Sequence, residues 1–266
     1  MKPKGTTPGG GSGRRPIVVA NWKMYLTAAE AVTRVQQLLT ESLPDRVDLV
    51  MCPSTTALAG IGQRLAGHTI QLGAQDVFWA APGPHTGEVS AADLRSLGVR
   101  YVLVGHSEHR ASAHEHNDVV HRKALAALGH GLSPIVCVGE SREDRHQHRH
   151  HHVITQQLDA AIRNLPPPDE RQELLVAYEP IWAIGTGQPA TAADAQEMAD
   201  VIHRSLLEVF GRDVVARRTR VLYGGSVTPA NVGEFVEGQS VHGVLVGTAG
   251  LPAAGLGSIV RAVASR

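Results

Sequence analysis

From Ile17 onward, short apolar runs recur along the chain, each closing on glycine, proline or a polar residue: IVVAN, VDLVMC, IQLGAQ, YVLVGH, SPIVCVG, LLVAYEP, RVLYGG and GVLVG. Their length and richness in Val, Ile and Leu predict eight buried strands. Stretches of helical period lie between them. Ala195, Met198, Ile202, Leu206 and Val209 step by three and four, which puts one apolar stripe toward a core. Thr191 and Asp194 stand just before that stripe with the spacing of a capping box, and the carboxylate also suits a helix N-terminus.

Eight β-then-α units call for a parallel sheet, either closed into an α/β barrel with helices outside or open and doubly wound. The open sheet is the weaker reading. Its glycine-rich dinucleotide fingerprint is missing after the first strand, where Ala20-Asn21-Trp22-Lys23 stands instead. A barrel places its site at the C-terminal ends of its strands, and polar residues gather there. Asn21 and Lys23 follow the first run, His106 to Arg110 the fourth, Glu179 the sixth, Ser226 the seventh and Gly247 the eighth.

Composition narrows the classes of function. The 266 residues balance 25 Lys+Arg against 25 Asp+Glu, which disfavours a basic nucleic-acid binder. At 42% hydrophobic residues the chain can build a sizeable core, yet no run approaches the ~18 apolar residues of a membrane span. Cys52 and Cys137 are too few for a secreted disulfide scaffold, so a reducing, cytoplasmic setting is expected. Residues 1–15 are Gly/Pro-rich, carry basic but no acidic groups and lack a secretory h-region; they are expected to form a disordered tail. Residues 16–266 are expected to form a single barrel domain.

Glu179 carries the clearest chemical signal. It ends a strand run, Pro180 biases it toward an extended conformation, and Ile181, Trp182, Ala183 and Ile184 follow. A loop that greasy is better placed closing over a ligand than standing in water, and closure would desolvate Glu179 into a stronger base. A structural glutamate beneath a packed loop is the other reading of the same residues.

YEPIWAIGTG, together with ANWKM, GHSEHR, YGGSV and VLVG in the same order and spacing, resembles the triosephosphate isomerase family over roughly 250 residues. The resemblance implies a TIM barrel and a cofactor-free isomerase interconverting dihydroxyacetone phosphate and D-glyceraldehyde 3-phosphate in glycolysis and gluconeogenesis. It implies that Glu179 is the base and that His106 is a neutral electrophile. Lys23 would supply fixed positive charge, Asn21 a second donor and Glu108 support near the lysine. Gly185, Ser226, Gly247 and Thr248 match positions that bind the substrate phosphate, and Asn21 and Lys23 also face substrate. Cys137 would pack and not react. Thr86-Gly87-Glu88 matches a loop that reaches into a second subunit, implying a homodimer. The physical logic agrees, since an enediolate needs a base, an oxygen-facing donor and a cation.

Three departures qualify the resemblance. Gly247-Thr248-Ala249-Gly250 stands where Gly-Gly-Ala-Ser is usual, and a β-branched Thr248 would resist positive φ and crowd an anion. An isomerase of a four-carbon ketose phosphate, of the erythrulose phosphate type in polyol catabolism, is therefore an alternative. His109 replaces a usual arginine, and Ala113-His114 an aromatic and a glycine, near the expected interface. Finally, His146, His148, His150, His151 and His152 crowd into seven residues. Such a run can bind Zn or Ni, but without cysteines and with Arg142, Arg145 and Arg149 beside it, it reads as a solvated loop or helix start, and no metal site is expected. A catalytically idle barrel that binds phosphate or metal is the alternative of another class; the quartet Asn21, Lys23, His106 and Glu179 argues against it.

Overall fold

The computed structural model describes residues 14–113, 115–184 and 189–266. Its strands are β1 (Ile17–Asn21), β2 (Asp48–Cys52), β3 (Gln71–Ala74), β4 (Val99–Val104), β5 (Ser133–Val138), β6 (Leu174–Tyr178), β7 (Thr219–Tyr223) and β8 (Gly243–Val246). All pair in parallel in chain order, and β8 returns to β1 with Ile17 opposite Gly243, which closes the barrel. Each strand falls on one of the apolar runs read from the sequence.

The runs are continuous because both faces of the strands are buried, Arg100 near the start of β4 being the one exposed strand position among the described residues. Ile17, Val19, Val50, Leu103, Ile135 and Leu222 point inward and pack with Cys52 and Cys137 along the barrel axis. Their neighbours Val18, Ala20, Met51, Val102, Val104 and Val136 point outward and pack under the helices. Period-two alternation therefore sorts one hydrophobic sequence into two cores.

The helical segment Ala192–Arg218, kinked at Gly211 (φ 73°), starts at the expected capping box, with the Asp194 N–H donating to Thr191 Oγ1 and the Thr191 N–H to the Asp194 carboxylate. Ala195, Met198, Ile202 and Leu206 are buried as the stripe predicts. Val209 is not, being 37% exposed. It faces a surface groove beside Arg163, Asn164 and Leu165, where the neighbouring helix His150–Ile162 has already ended and leaves nothing to cover it.

Charge closes the end of the barrel opposite the strand C-termini. Arg220 donates from Nε to Glu173 (2.9 Å) and from Nη1 to Asp48 (2.8 Å), while Tyr101 donates its hydroxyl to Glu173. Arg14 donates to the Thr219 carbonyl at 2.8 Å. His242 lies within this basic surface and accepts the Val221 N–H on Nδ1 at 3.1 Å. Burial, with His203 and the arginines nearby, pushes His242 down to about 3.

The sign of the consequence follows from proton linkage. Between about 6.5 and about 3 the unfolded chain binds a proton that folded His242 refuses, so stability falls as pH drops through that window. Lowering the pH from 7.5 to 5 is expected to remove roughly 1–2 kcal/mol through this group, allowing for its partial exposure. Urea midpoints of the wild type and His242→Asn, whose amide oxygen can still accept the Val221 N–H, measure it. A pH dependence identical in the two proteins would exclude His242 as the cause.

Candidate active site

The C-terminal ends of the strands surround one cavity lined by Asn21, Lys23, His106, Glu179, Ser226, Gly247 and Thr248. These residues come from β1, β4, β6, β7 and β8 and the turns that follow them. Glu108 does not line it but reaches Lys23 from the side, with Nζ donating to Oε1 at 2.6 Å. Gly185 and His114 lie outside the described residues.

Asn21 ends β1 and is buried. Its side-chain oxygen accepts the Lys23 N–H at 3.0 Å, and Gln75 donates to the carbonyls of Lys23 (2.7 Å) and Cys52 (3.0 Å). Lys23 needs these bonds, because its φ of 50° lies in the left-handed region that L side chains rarely adopt. They hold its ammonium over the cavity mouth between the barrel end and Glu108.

His106 is the N-cap of the short helix Ser107–Ser112, and its Nδ1 accepts the Glu108 N–H at 3.2 Å. With Nδ1 occupied as an acceptor, the ring proton of the neutral form sits on Nε2. Nε2 faces Glu179 Oε1 at 3.0 Å. Burial works against an imidazolium here, but the facing carboxylate outweighs it and lifts His106 above the ordinary histidine value.

Glu179 is fully enclosed, its N–H donating to the Val138 carbonyl and its Oε2 accepting the Ser107 N–H at 3.0 Å. Burial alone would raise its carboxyl. His106 and the Ser107 N–H overcome that and hold it below the usual carboxylate range. Gly139 makes this placement possible, since a Cβ there would sit 1.9 Å from the Glu179 carbonyl oxygen. Cys137 is buried in the inner core, its thiol pushed well up by burial and then by Glu179, which suits packing and not nucleophilic attack.

The segment after Glu179 is fastened at both ends. Ile181–Ala183 forms a single tight turn, and Trp182 donates from Nε1 to Glu140 Oε1 at 2.7 Å; the same oxygen accepts the Tyr178 hydroxyl at 3.0 Å. Arg145 lies over the Trp182 ring and bonds to Asp194. At the far end the Ala190 N–H donates to the Tyr223 hydroxyl at 3.1 Å. Ile181 stands 43% exposed above. Trp182→Phe removes one donor from a buried carboxylate whose Oε2 has no partner among the described residues. The expected cost is about 1–2 kcal/mol in urea denaturation together with a several-fold lower kcat; a variant equal to wild type in both would free the loop from this anchor.

On the opposite wall of the cavity, Gly247 caps the tight turn Thr248–Gly250, whose Gly250 carbonyl accepts Trp22 Nε1 at 2.9 Å. Thr248 has no positive φ; among the described non-glycine residues only Lys23, His148 and Asn164 do. The backbone objection raised by the β-branched side chain therefore falls away.

Several working residues escaped the sequence reading. Gln75 and Glu140 follow β3 and β5, where the strand-end rule points to them. Arg110, at the end of the polar group that follows β4, lies within reach of the same rule, whereas the buried pair Glu115–Lys123 carries no such signal. Arg110 bonds the carbonyls of Gly105 (2.8 Å) and Cys137 (3.3 Å), Glu115 accepts the Gly105 N–H at 2.8 Å, and Lys123 bonds Glu115 and Asp76. His109, the departure noted above, faces Asp76 at 3.5 Å and Glu115 at 3.7 Å. Together they brace the turn that delivers His106.

Residues 16–263 match the family described as triosephosphate isomerase. The chain is 41% identical to the triosephosphate isomerase of Thermoanaerobacter pseudethanolicus, covering 93% of this chain and 99% of that protein. It is 46% identical to that of Chloroflexus aurantiacus, over 91% and 96%, and 44% identical to that of Moorella thermoacetica, over 93% and 98%. With a closed barrel, a carboxylate and an imidazole meeting over its axis and a match of this extent, the chain belongs to the triosephosphate isomerase family.

Proposed function

We propose that the chain interconverts dihydroxyacetone phosphate and D-glyceraldehyde 3-phosphate, with Glu179 moving the proton between adjacent carbons and His106 polarising the carbonyl oxygen. The observation that carries this reading is the 3.0 Å approach of Glu179 Oε1 to His106 Nε2 inside a cavity that also holds the Lys23 ammonium. Base, donor and cation converge on a space where an enediolate would form.

The resting geometry suggests how the base is activated. Glu179 is quenched by His106 and the Ser107 N–H, whereas a bound carbonyl oxygen would take the His106 Nε2 proton for itself. Freed from those donors and still desolvated, the carboxylate gains basicity as it turns to the substrate carbon. Closure of Ile181 and its neighbours would exclude water during the transfer. Ser226, Gly247 and Thr248 line the opposite wall, where backbone N–H groups and a helical turn suit a phosphate. Asn21 would add a second oxygen-facing donor, and Glu108 would keep Lys23 aimed.

Steady-state kinetics with glyceraldehyde 3-phosphate and a four-carbon ketose phosphate test the substrate. A kcat/KM above ~10⁶ M⁻¹s⁻¹ for the triose is expected. A faster four-carbon reaction would overturn the assignment.

A homodimer fits the exposed chemistry. Thr86, Gly87 and Glu88 stand exposed, and Met24 (90% exposed) and Tyr25 (58%) follow Lys23 as apolar surface that water penalises. Sedimentation is expected to give a dimer at micromolar concentration, and monomer alone would refute it. Both cysteines are free and buried, in keeping with a reducing cytoplasm, and no helix among the described residues is long and apolar enough to cross a membrane.

A further inference from the structure

The histidine run, which the isomerase chemistry leaves unused, meets a carboxylate from elsewhere in the chain. His150 and His151 open the helix His150–Ile162, and the helix Ala192–Arg218 packs against it, bringing up Glu197. His151 Nε2 lies 2.6 Å from Glu197 Oε1 and His150 Nε2 lies 3.8 Å from the same oxygen. The three ligand atoms fall within 4.8 Å of one another.

The geometry points to a divalent transition-metal site formed by His150, His151 and Glu197, of the class that takes Zn²⁺ or Ni²⁺. Metal–nitrogen and metal–oxygen bonds of about 2.0–2.2 Å require donors roughly 3.3 Å apart in a tetrahedral shell. The two separations from Glu197 Oε1 bracket that value. His151 and Glu197 are about half exposed, so their side chains can adjust by rotation alone. Two imidazoles and one carboxylate suit borderline ions over Ca²⁺ or Mg²⁺, which favour oxygen shells, and water completes the coordination.

His150 supplies an independent reason. Among the described residues its ring makes no hydrogen bond: Nδ1 is buried without a partner, and Nε2 stops short of Glu197. A metal bond at Nε2 would give this mostly buried ring its one partner, while Nδ1 would stay without one. Two of the three adjacent arginines are already paired with carboxylates, and Arg142 is turned to the Trp182 carbonyl. Arg145 is engaged by Glu140 and Asp194, and Arg149 by Asp144. The site joins two neighbouring helices, one of which begins at Thr191 just beyond the loop that follows Glu179. Metal there would pin the start of that helix.

Calorimetric titration of ZnCl₂ into the full chain, carrying no polyhistidine tag, tests the site. One Zn²⁺ per chain with a Kd on the order of 1 µM is expected, together with a higher Tm in its presence. Glu197→Gln and His151→Ala are each expected to weaken binding roughly tenfold or more and to abolish the Tm shift. The double variant His146→Gln/His148→Gln should bind as the wild type does. Metal-free melting of every variant establishes that it folds. Equal affinity in Glu197→Gln and wild type would mean that the run binds by itself, and absence of stoichiometric binding would mean no site; either result overturns the proposal.

Discussion

Glu179→Gln is expected to lower kcat by ~10² or more while leaving KM for the triose phosphate within about threefold. Glutamine matches the shape and can still accept the Ser107 N–H, so the cavity should keep its form. It cannot take a carbon-bound proton. Because Gly139 and Gly224 pack directly against the backbone and Cγ of Glu179, a shorter or bulkier replacement would confound chemistry with repacking. Coupled-assay kinetics and competitive inhibition by inorganic phosphate separate the two effects. Retention of more than about a tenth of wild-type turnover would remove Glu179 from the proton transfer.

Lys123→Met is expected to cost about 3–5 kcal/mol of stability. Lys123 and Glu115 are both nearly inaccessible, and the ammonium bonds Glu115 and Asp76. Without it Glu115 is left as a buried charge. The damage reaches the site, because Glu115 also accepts the N–H of Gly105, whose φ of 73° turns the chain into His106. A Cβ at Gly105 would meet Val120 at 2.9 Å, so the turn has no room to relax. A fall in kcat should accompany the loss of stability. Adding Glu115→Gln to Lys123→Met removes the stranded charge and is expected to recover most of the stability. Urea denaturation of the two single variants, Lys123→Met and Glu115→Gln, and of the double variant closes the cycle, and a Lys123→Met cost below about 1 kcal/mol would show that the pair is dispensable.

Much of the molecule was legible from residue order. Hydrophobic runs located all eight strands, because burial on both faces confines polar residues such as Asp48, Arg220 and Asn21 to the strand ends and leaves the middles apolar. The Thr191–Asp194 cap was legible because its bonds join residues three apart. The strand-end rule placed Asn21, Lys23, His106, Glu179, Ser226 and Gly247 on one rim, since barrel closure carries every strand's C-terminus to the same side.

What the sequence determined by itself was therefore whatever local periodicity and short-range hydrogen bonding dictate: the strands, the barrel class, the cap and the rim residues. Tertiary structure alone decided how charge is partitioned around them. Glu179 is held below the usual carboxylate range by His106, 73 positions away, against the burial that acts alone in a sequence argument. Lys23 is held in left-handed backbone by Gln75, Glu115 is neutralised by Lys123, and the histidine run acquires Glu197. Electrostatic and hydrogen-bond energies depend on distances of a few ångström between groups remote in sequence, and only the closed barrel sets those distances.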